Sequence, residues 1–182
     1  MPVNPSVAGQ LLISPPMMQD PNFAGSVVAV LAHNAEGAFG LVVNHPIDVD
    51  LEEIAADWAD RTSEPHLLFQ GGPVQTDALI GIGRAAGDRA TELPLGLVSL
   101  DLHRLPSDEA LDVDQVRLFA GYSGWGPGQL DQEIAMGGWV VVPMDVGDVF
   151  CPDPFTLWQQ VLRRQGGEVA WLALHPDDIG LN

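Results

Sequence analysis

The chain contains no lysine. Its basic side chains are seven arginines, set against twenty-five aspartates and glutamates, for a formal net charge of −18 over 182 residues. That surplus repels phosphate backbones and anionic headgroups, and the adjacent pair Arg163–Arg164 is too small for a phosphate footprint. Direct nucleic-acid binding is disfavoured. Cysteine is as scarce: Cys151 alone excludes an intrachain disulfide and a multi-cysteine zinc site. Beside Pro152 it reads as a small buried residue rather than a nucleophile. No apolar run approaches the roughly 18 residues of a membrane span. The opening stretch, Met1–Gln10, lacks the basic and apolar regions of a signal peptide. A cytoplasmic protein with no membrane partner is the expectation.

Metal and cofactor signatures are also missing. The five histidines are dispersed, with no H-x-x-x-H or H-E-x-x-H spacing. Asp48 with Asp50, and Asp101 with His103, read as caps and loop residues rather than ligand pairs. Gly81-Ile82-Gly83-Arg84-Ala85-Ala86-Gly87 imitates a dinucleotide fingerprint, and Asp101 follows at a suggestive distance. The segment between holds Pro94 and is too short for the crossover helix that a βαβ unit needs. No metal and no cofactor are expected.

What is present is a foldable apolar chain, 46% hydrophobic with a mean hydropathy of +0.12. Its length suits one domain spanning 1–182. Strands are predicted over Gln10–Ser14, Ser26–His33 and Ala38–Asn44, the last two joined as a hairpin through Asn34-Ala35-Glu36-Gly37. Asp50 caps a helix over Leu51–Ala59, with Leu51, Ile54, Ala55 and Trp58 on one face and Arg61 near its end. Further strands are predicted at Leu67–Gln70, Ala78–Ile82, Leu97–Leu100, Val116–Tyr122 and Trp139–Met144. Asp153-Pro154 opens a helix whose shared face carries Phe155, Trp158, Val161 and Leu162, with Gly166 as its stop. Glu168–Leu174 reads as a last strand. The early hairpin argues against regular βαβ winding, so the fold class is α+β.

The densest information lies at Gly121 to Glu133, G-Y-S-G-W-G-P-G-Q-L-D-Q-E. An apolar strand runs into glycines able to adopt positive φ, and then into a short helix over Pro127–Met136 with Pro127 at its first turn. The helix N-terminus could hold an anion, but Asp131 and Glu133 already place negative charge there. Ser123 imitates a nucleophile elbow, yet Trp125 stands where G-x-S-x-G requires glycine. Asn44-His45-Pro46 and Gly71-Gly72-Pro73 sit at strand ends and read first as turn chemistry.

Four blocks, taken in order, resemble the AlgH-like (YqgE) family of bacterial proteins. They are Gly9–Ser14 with Pro16, Asp20 and Phe23; Gly37–Asn44 with Pro46; Phe69–Val74; and the Gly121–Glu133 turn with Trp139. The pattern departs mildly at His45, where arginine is frequent, and at Asp131, where glutamate is usual. The resemblance covers nearly the whole chain. It implies a single α+β domain with a bifurcated or barrel-like mixed β-sheet flanked by short helices. It brings no established activity and no catalytic residues. Members are often labelled transcriptional regulators, which an acidic chain without a helix-turn-helix could be only indirectly.

Two readings of function remain open. One is a non-catalytic binding or regulatory protein with a small ligand or protein partner at a glycine-rich groove, built from Asn44, Gly71, Gly72, Pro73, Ser123, Trp125, Gln129 and Glu133. The family motifs suggest that Asn44, Gly72, Trp125 and Gln129 converge there, with aromatic and amide groups for recognition. The other is an enzyme on a small-molecule substrate, with Glu133 or Asp131 as its acid/base. The binding reading is preferred, because no constellation supplies nucleophile, base and electrophile together.

Overall fold

The structure, a computed structural model, describes residues 4–87, 90–108 and 112–174. The first residues of the Met1–Gln10 stretch and part of the polar Gly87–Gly96 connection lie outside them. Among the described residues, nine strands share one curled, half-barrel sheet. In chain order they are β1 (Gln10–Ile13), β2 (Val27–Asn34), β3 (Gly37–Val42), β4 (Pro46–Ile47), β5 (Leu68–Gln70), β6 (Val74–Ala85), β7 (Leu97–Leu100), β8 (Val113–Trp125) and β9 (Val140–Pro143). The helices are α1 (Leu51–Ala59), α2 (Gln129–Ala135), α3 (Val146–Val149), α4 (Leu157–Gln165) and α5 (Gly167–Leu172).

The long strand β8 makes the sheet fork. It pairs antiparallel with β6 along most of its length, parallel with β5 at Phe119 and Ala120, and antiparallel with β3 from Ser123 to Trp125. From β3 the order continues through β2 and β1 to β9. The predicted hairpin forms, with Asn34 opposite Gly37. The β1–β3 strands are continuous apolar runs because both faces of this part are covered. Leu11, Ile13, Val27 and Ala29 point into the main core with Trp158, Val161 and Leu162. Leu12, Val28 and Val30, the alternate positions, pack with Trp125, Leu130 and Trp139. A third cluster forms where Leu51 and Trp58 of α1 meet Val98, Leu100, Val116 and Leu118.

Arg117 ties these layers together and breaks the apolar pattern of β8. Its side chain is fully buried, 4.3 Å above the Phe69 ring. Nη1 donates to the Ser63 carbonyl at 3.0 Å, and Nη2 donates to the carbonyls of Glu64 and Cys151 at 3.0 and 3.1 Å. Nε reaches the Val149 carbonyl at 3.4 Å. The guanidinium's fixed fork therefore fastens two connecting segments to the strand. Burial pushes its pKa down to about 10, against a smaller opposing influence from Cys151. Burial likewise pushes the Cys151 thiol up, so this buried cysteine lacks the activated thiolate of a nucleophile.

Four sequence expectations are corrected. Glu168–Leu174 is not a strand but carries α5: Val169, Leu172 and Ala173 face the main core at helical spacing, after Gly166 and Gly167 turn the chain with φ of +71° and +56°. The Pro127–Met136 helix begins only at Gln129, because Pro127 and Gly128 form a turn and Gly128 is left-handed at φ +70°. Phe155 does not share the buried face of α4. It precedes that helix and is 79% exposed. Ile54 is likewise exposed, since the backbone at Ala55 leaves helical geometry and rotates the face.

Candidate functional site

Two strand pairings deliver the site. Ile13 lies opposite Val140, so the loop after β1 and the residue before β9, Trp139, emerge at the same end of the sheet. Ala38 lies opposite Trp125, which fixes the second tryptophan at the end of β8. Phe23, from the loop after β1, completes an aromatic trio. Its ring is 6.4 Å from Trp125, nearly parallel, and 5.3 Å from Trp139, edge-on. The two indoles meet edge-to-face at 6.3 Å.

Both indole N–H groups donate to one atom. Trp125 Nε1 and Trp139 Nε1 each lie 2.9 Å from Glu133 Oε2. The other carboxylate oxygen, Oε1, accepts from Gln129 Nε2 at 3.1 Å. Gln129 is itself held, because its Oε1 accepts from the Gly126 amide at 3.0 Å. The i, i+4 spacing on α2 makes the Gln129–Glu133 contact possible. A chain of polar contacts thus runs from the glycine turn to the carboxylate to both rings.

These residues line a recess of about 430 Å³. Pro73, Trp125, Gln129 and Glu133 share it with Met18, Asp20, Phe23, Gly124, Met136, Gly138 and Trp139. The other nominated residues do not line it. Asn44 is buried and structural in its contacts: its Oδ1 accepts from the Val27 amide, and its Nδ2 donates to the Gly25 carbonyl, both at 2.9 Å. The buried Ser123 hydroxyl donates to the Gly71 carbonyl at 3.0 Å. Gly72, at φ +155°, passes so close to Tyr122 and Ser123 that a Cβ would strike their backbone. Gly71 and Gly72 thereby bring Pro73 to the rim.

Asp131 belongs to a different hollow, beside Asn4, Val7 and Ile134. Its Oδ2 is 3.6 Å from His33 Nε2. The two acids named for catalysis therefore do not face a common space. Among the described residues, no histidine, cysteine, serine or basic side chain lines the recess. Among the described residues, no group of three or more histidines, cysteines and acids could hold a metal. No described helix is long and apolar enough to cross a membrane.

Met18 and Gly138 carry no signal in the sequence, Met136 stands there only as a helix end, and Asp20, Phe23 and Trp139 as parts of motifs. The β1–β9 pairing that unites them joins distant parts of the chain, which local pattern does not report.

The whole chain is similar to known proteins. The family model described as AlgH-like matches residues 11–170. A UPF0301 protein of Streptomyces coelicolor is 46% identical, the match covering 97% of this chain and 96% of that protein. One of Rhodococcus opacus is 38% identical over 96% of this chain and 90% of its own. A crystal structure of a Corynebacterium diphtheriae protein superposes with a TM-score of 0.86 at 31% identity, covering 95% of this chain and 94% of that one. The solution structure of AlgH from Pseudomonas aeruginosa gives 0.69 at 26% identity, covering 94% and 95%. The chain belongs to the AlgH-like family, and that membership supplies a fold without a reaction.

Proposed function

We propose that this AlgH-like protein is a non-catalytic binding or regulatory protein whose ligand or partner occupies the recess between Trp125, Trp139 and Phe23. The observation that carries the reading is the clamping of Glu133 by three donors, two indoles and an amide. Such a carboxylate is a positioned recognition group. For catalysis a nucleophilic or electrophile-stabilising partner would also be needed, and among the described residues the other ionisable group in the lining is a second carboxylate, Asp20. Asp131, turned to the other hollow, does not supply it. The lack of a basic side chain among the described lining residues, with the chain's net charge, also weighs against direct DNA binding.

Native mass spectrometry of protein isolated gently from its own cells tests the reading. The expected result is a retained molecule or protein, lost from a Met136→Trp variant whose ring obstructs the mouth. Retention unaffected by that change would place binding elsewhere. Turnover of a small molecule by the purified protein, abolished by Glu133→Gln, would replace the reading with the enzymatic one.

A further inference from the structure

The geometry points to a cationic side chain, arginine or lysine, of a basic polypeptide as the group that enters the recess between Glu133 and Asp20. The inference rests on the binding reading above and gives it a partner class.

The acceptor count comes first. A carboxylate offers about four lone-pair positions. In Glu133, Oε2 takes both indoles, whereas Oε1 takes only Gln129. One position on Oε1 therefore receives no hydrogen bond from any described residue. Asp20 uses Oδ1 for the Asn22 amide at 2.9 Å and leaves Oδ2 without a hydrogen bond from any described residue. Two carboxylates with unused acceptors line one recess to which the described residues bring no side-chain cation.

The surroundings reinforce that sign. The net charge of −18 already counts all seven arginines, and of these Arg117 is buried and Arg164 is paired with Asp148 at 2.7 Å. A recess of one sign in such a field raises the local concentration of cations. The walls fit a cation carried on an aliphatic stem. Phe23 and Pro73 are apolar, and Met18 and Met136 are flexible thioethers, with Met136 85% exposed at the mouth. That exposed rim favours a side chain whose backbone stays outside over a metabolite enclosed on most of its surface.

The test is a titration of full-length protein with a short glycine-serine peptide carrying one arginine, beside its lysine and citrulline counterparts. Binding is followed through the indole N–H resonances of Trp125 and Trp139. Agmatine serves as the free small cation. The arginine and lysine peptides should shift both indole signals, and the isosteric but neutral citrulline peptide should not. Asp20→Asn, an exposed change that spares the fold, should weaken the arginine peptide roughly fivefold, as loss of one exposed ion pair does. Asp48→Asn removes the same charge from a separate hollow and should leave affinity unchanged.

Equal binding of the citrulline peptide, equal weakening by both variants, or no binding by either cationic peptide overturns the proposal. Agmatine binding as tightly as the peptides overturns the polypeptide in favour of a small cation. A neutral or anionic molecule retained in the mass-spectrometry experiment and lost with Met136→Trp would sink this inference while sustaining the binding reading. Retention indifferent to Met136→Trp would instead remove the recess itself.

Discussion

Arg117 in the middle of β8 and Glu133 just beyond that strand's end are both charged residues met chiefly by neutral hydrogen-bond partners. Arg117 is fully buried and donates to four backbone carbonyls, all on segments it fastens in place. Glu133 is half-buried at the edge of a recess and, among the described residues, accepts from three side chains, with an acceptor position to spare. Backbone partners make the first charge part of the architecture. Side-chain partners and an open lone pair make the second available to something outside the chain. The degree of satisfaction separates a structural charge from a recognition charge here more clearly than charge type does.

The contrast is broken most directly at Arg117. Arg117→Met should cost about 3–5 kcal/mol, because several buried carbonyls lose their donor at once. Arg117→Lys should recover only part of that, since an ammonium lacks the planar fork. Urea unfolding followed by tryptophan fluorescence reads both. A loss below about 1 kcal/mol in Arg117→Met would mean that water reaches those carbonyls and that the architectural reading is wrong.

Glu133 gives the intermediate case. Glu133→Ala strands two partly buried indole N–H groups and should cost about 2 kcal/mol. Glu133→Gln keeps an oxygen for the indoles and should cost less than about 1 kcal/mol while removing the charge. If the glutamine variant unfolds as readily as the alanine one, Glu133 is a second architectural charge and the contrast fails. Asp20→Asn, at an exposed loop position, should lie within about 0.5 kcal/mol of wild type in the same assay.

The legibility of the molecule follows from the same contrast. Elements set by local pattern were readable: the Asn34–Gly37 hairpin, the α1 cap at Asp50, the buried stripe of Trp158, Val161 and Leu162, and the Gln129–Glu133 spacing. The four motif blocks led to the family and, through it, to the curled mixed sheet. The register between distant strands was not readable. Only the opposition of Ile13 and Val140 brings Phe23 beside Trp139, and no local period encodes it. The strand expected at Glu168–Leu174 failed because a short apolar run satisfies two periods, and docking of Val169, Leu172 and Ala173 on the core selects the helical one. Asn44 and Ser123 looked like groove residues because polar side chains at strand ends serve turns and sites alike. In the structure their buried hydrogen bonds instead tie distant segments together, Asn44 to Val27 and Gly25, and Ser123 to Gly71. Arg117 did leave a trace, as a lone cation inside the apolar run Val116–Ala120, but sequence cannot say whether such a residue faces solvent.

The smallest expected effect sharpens the comparison from the side of proton exchange. His45 follows Asn44 between β3 and β4, is half-buried, and has no side-chain hydrogen bond to any described residue. Burial lowers its pKa below 6.5. Arg117 meets the same desolvation yet keeps its proton at neutral pH, because its pKa falls only to about 10 and four carbonyls receive its N–H groups. His45 has no such partners and is held neutral. The unfolded chain therefore binds a proton at His45 before the folded one does. Its contribution to stability is complete above 6.5 and is lost as pH falls from there through the lowered folded-state value. Thermal unfolding at about pH 7.5 and about pH 5.5 should show a larger drop in Tm for wild type than for His45→Gln, which cannot titrate. Equal drops would mean that water or a carboxylate solvates the charged ring, and that burial at this turn discriminates against charge far less than it does around Arg117.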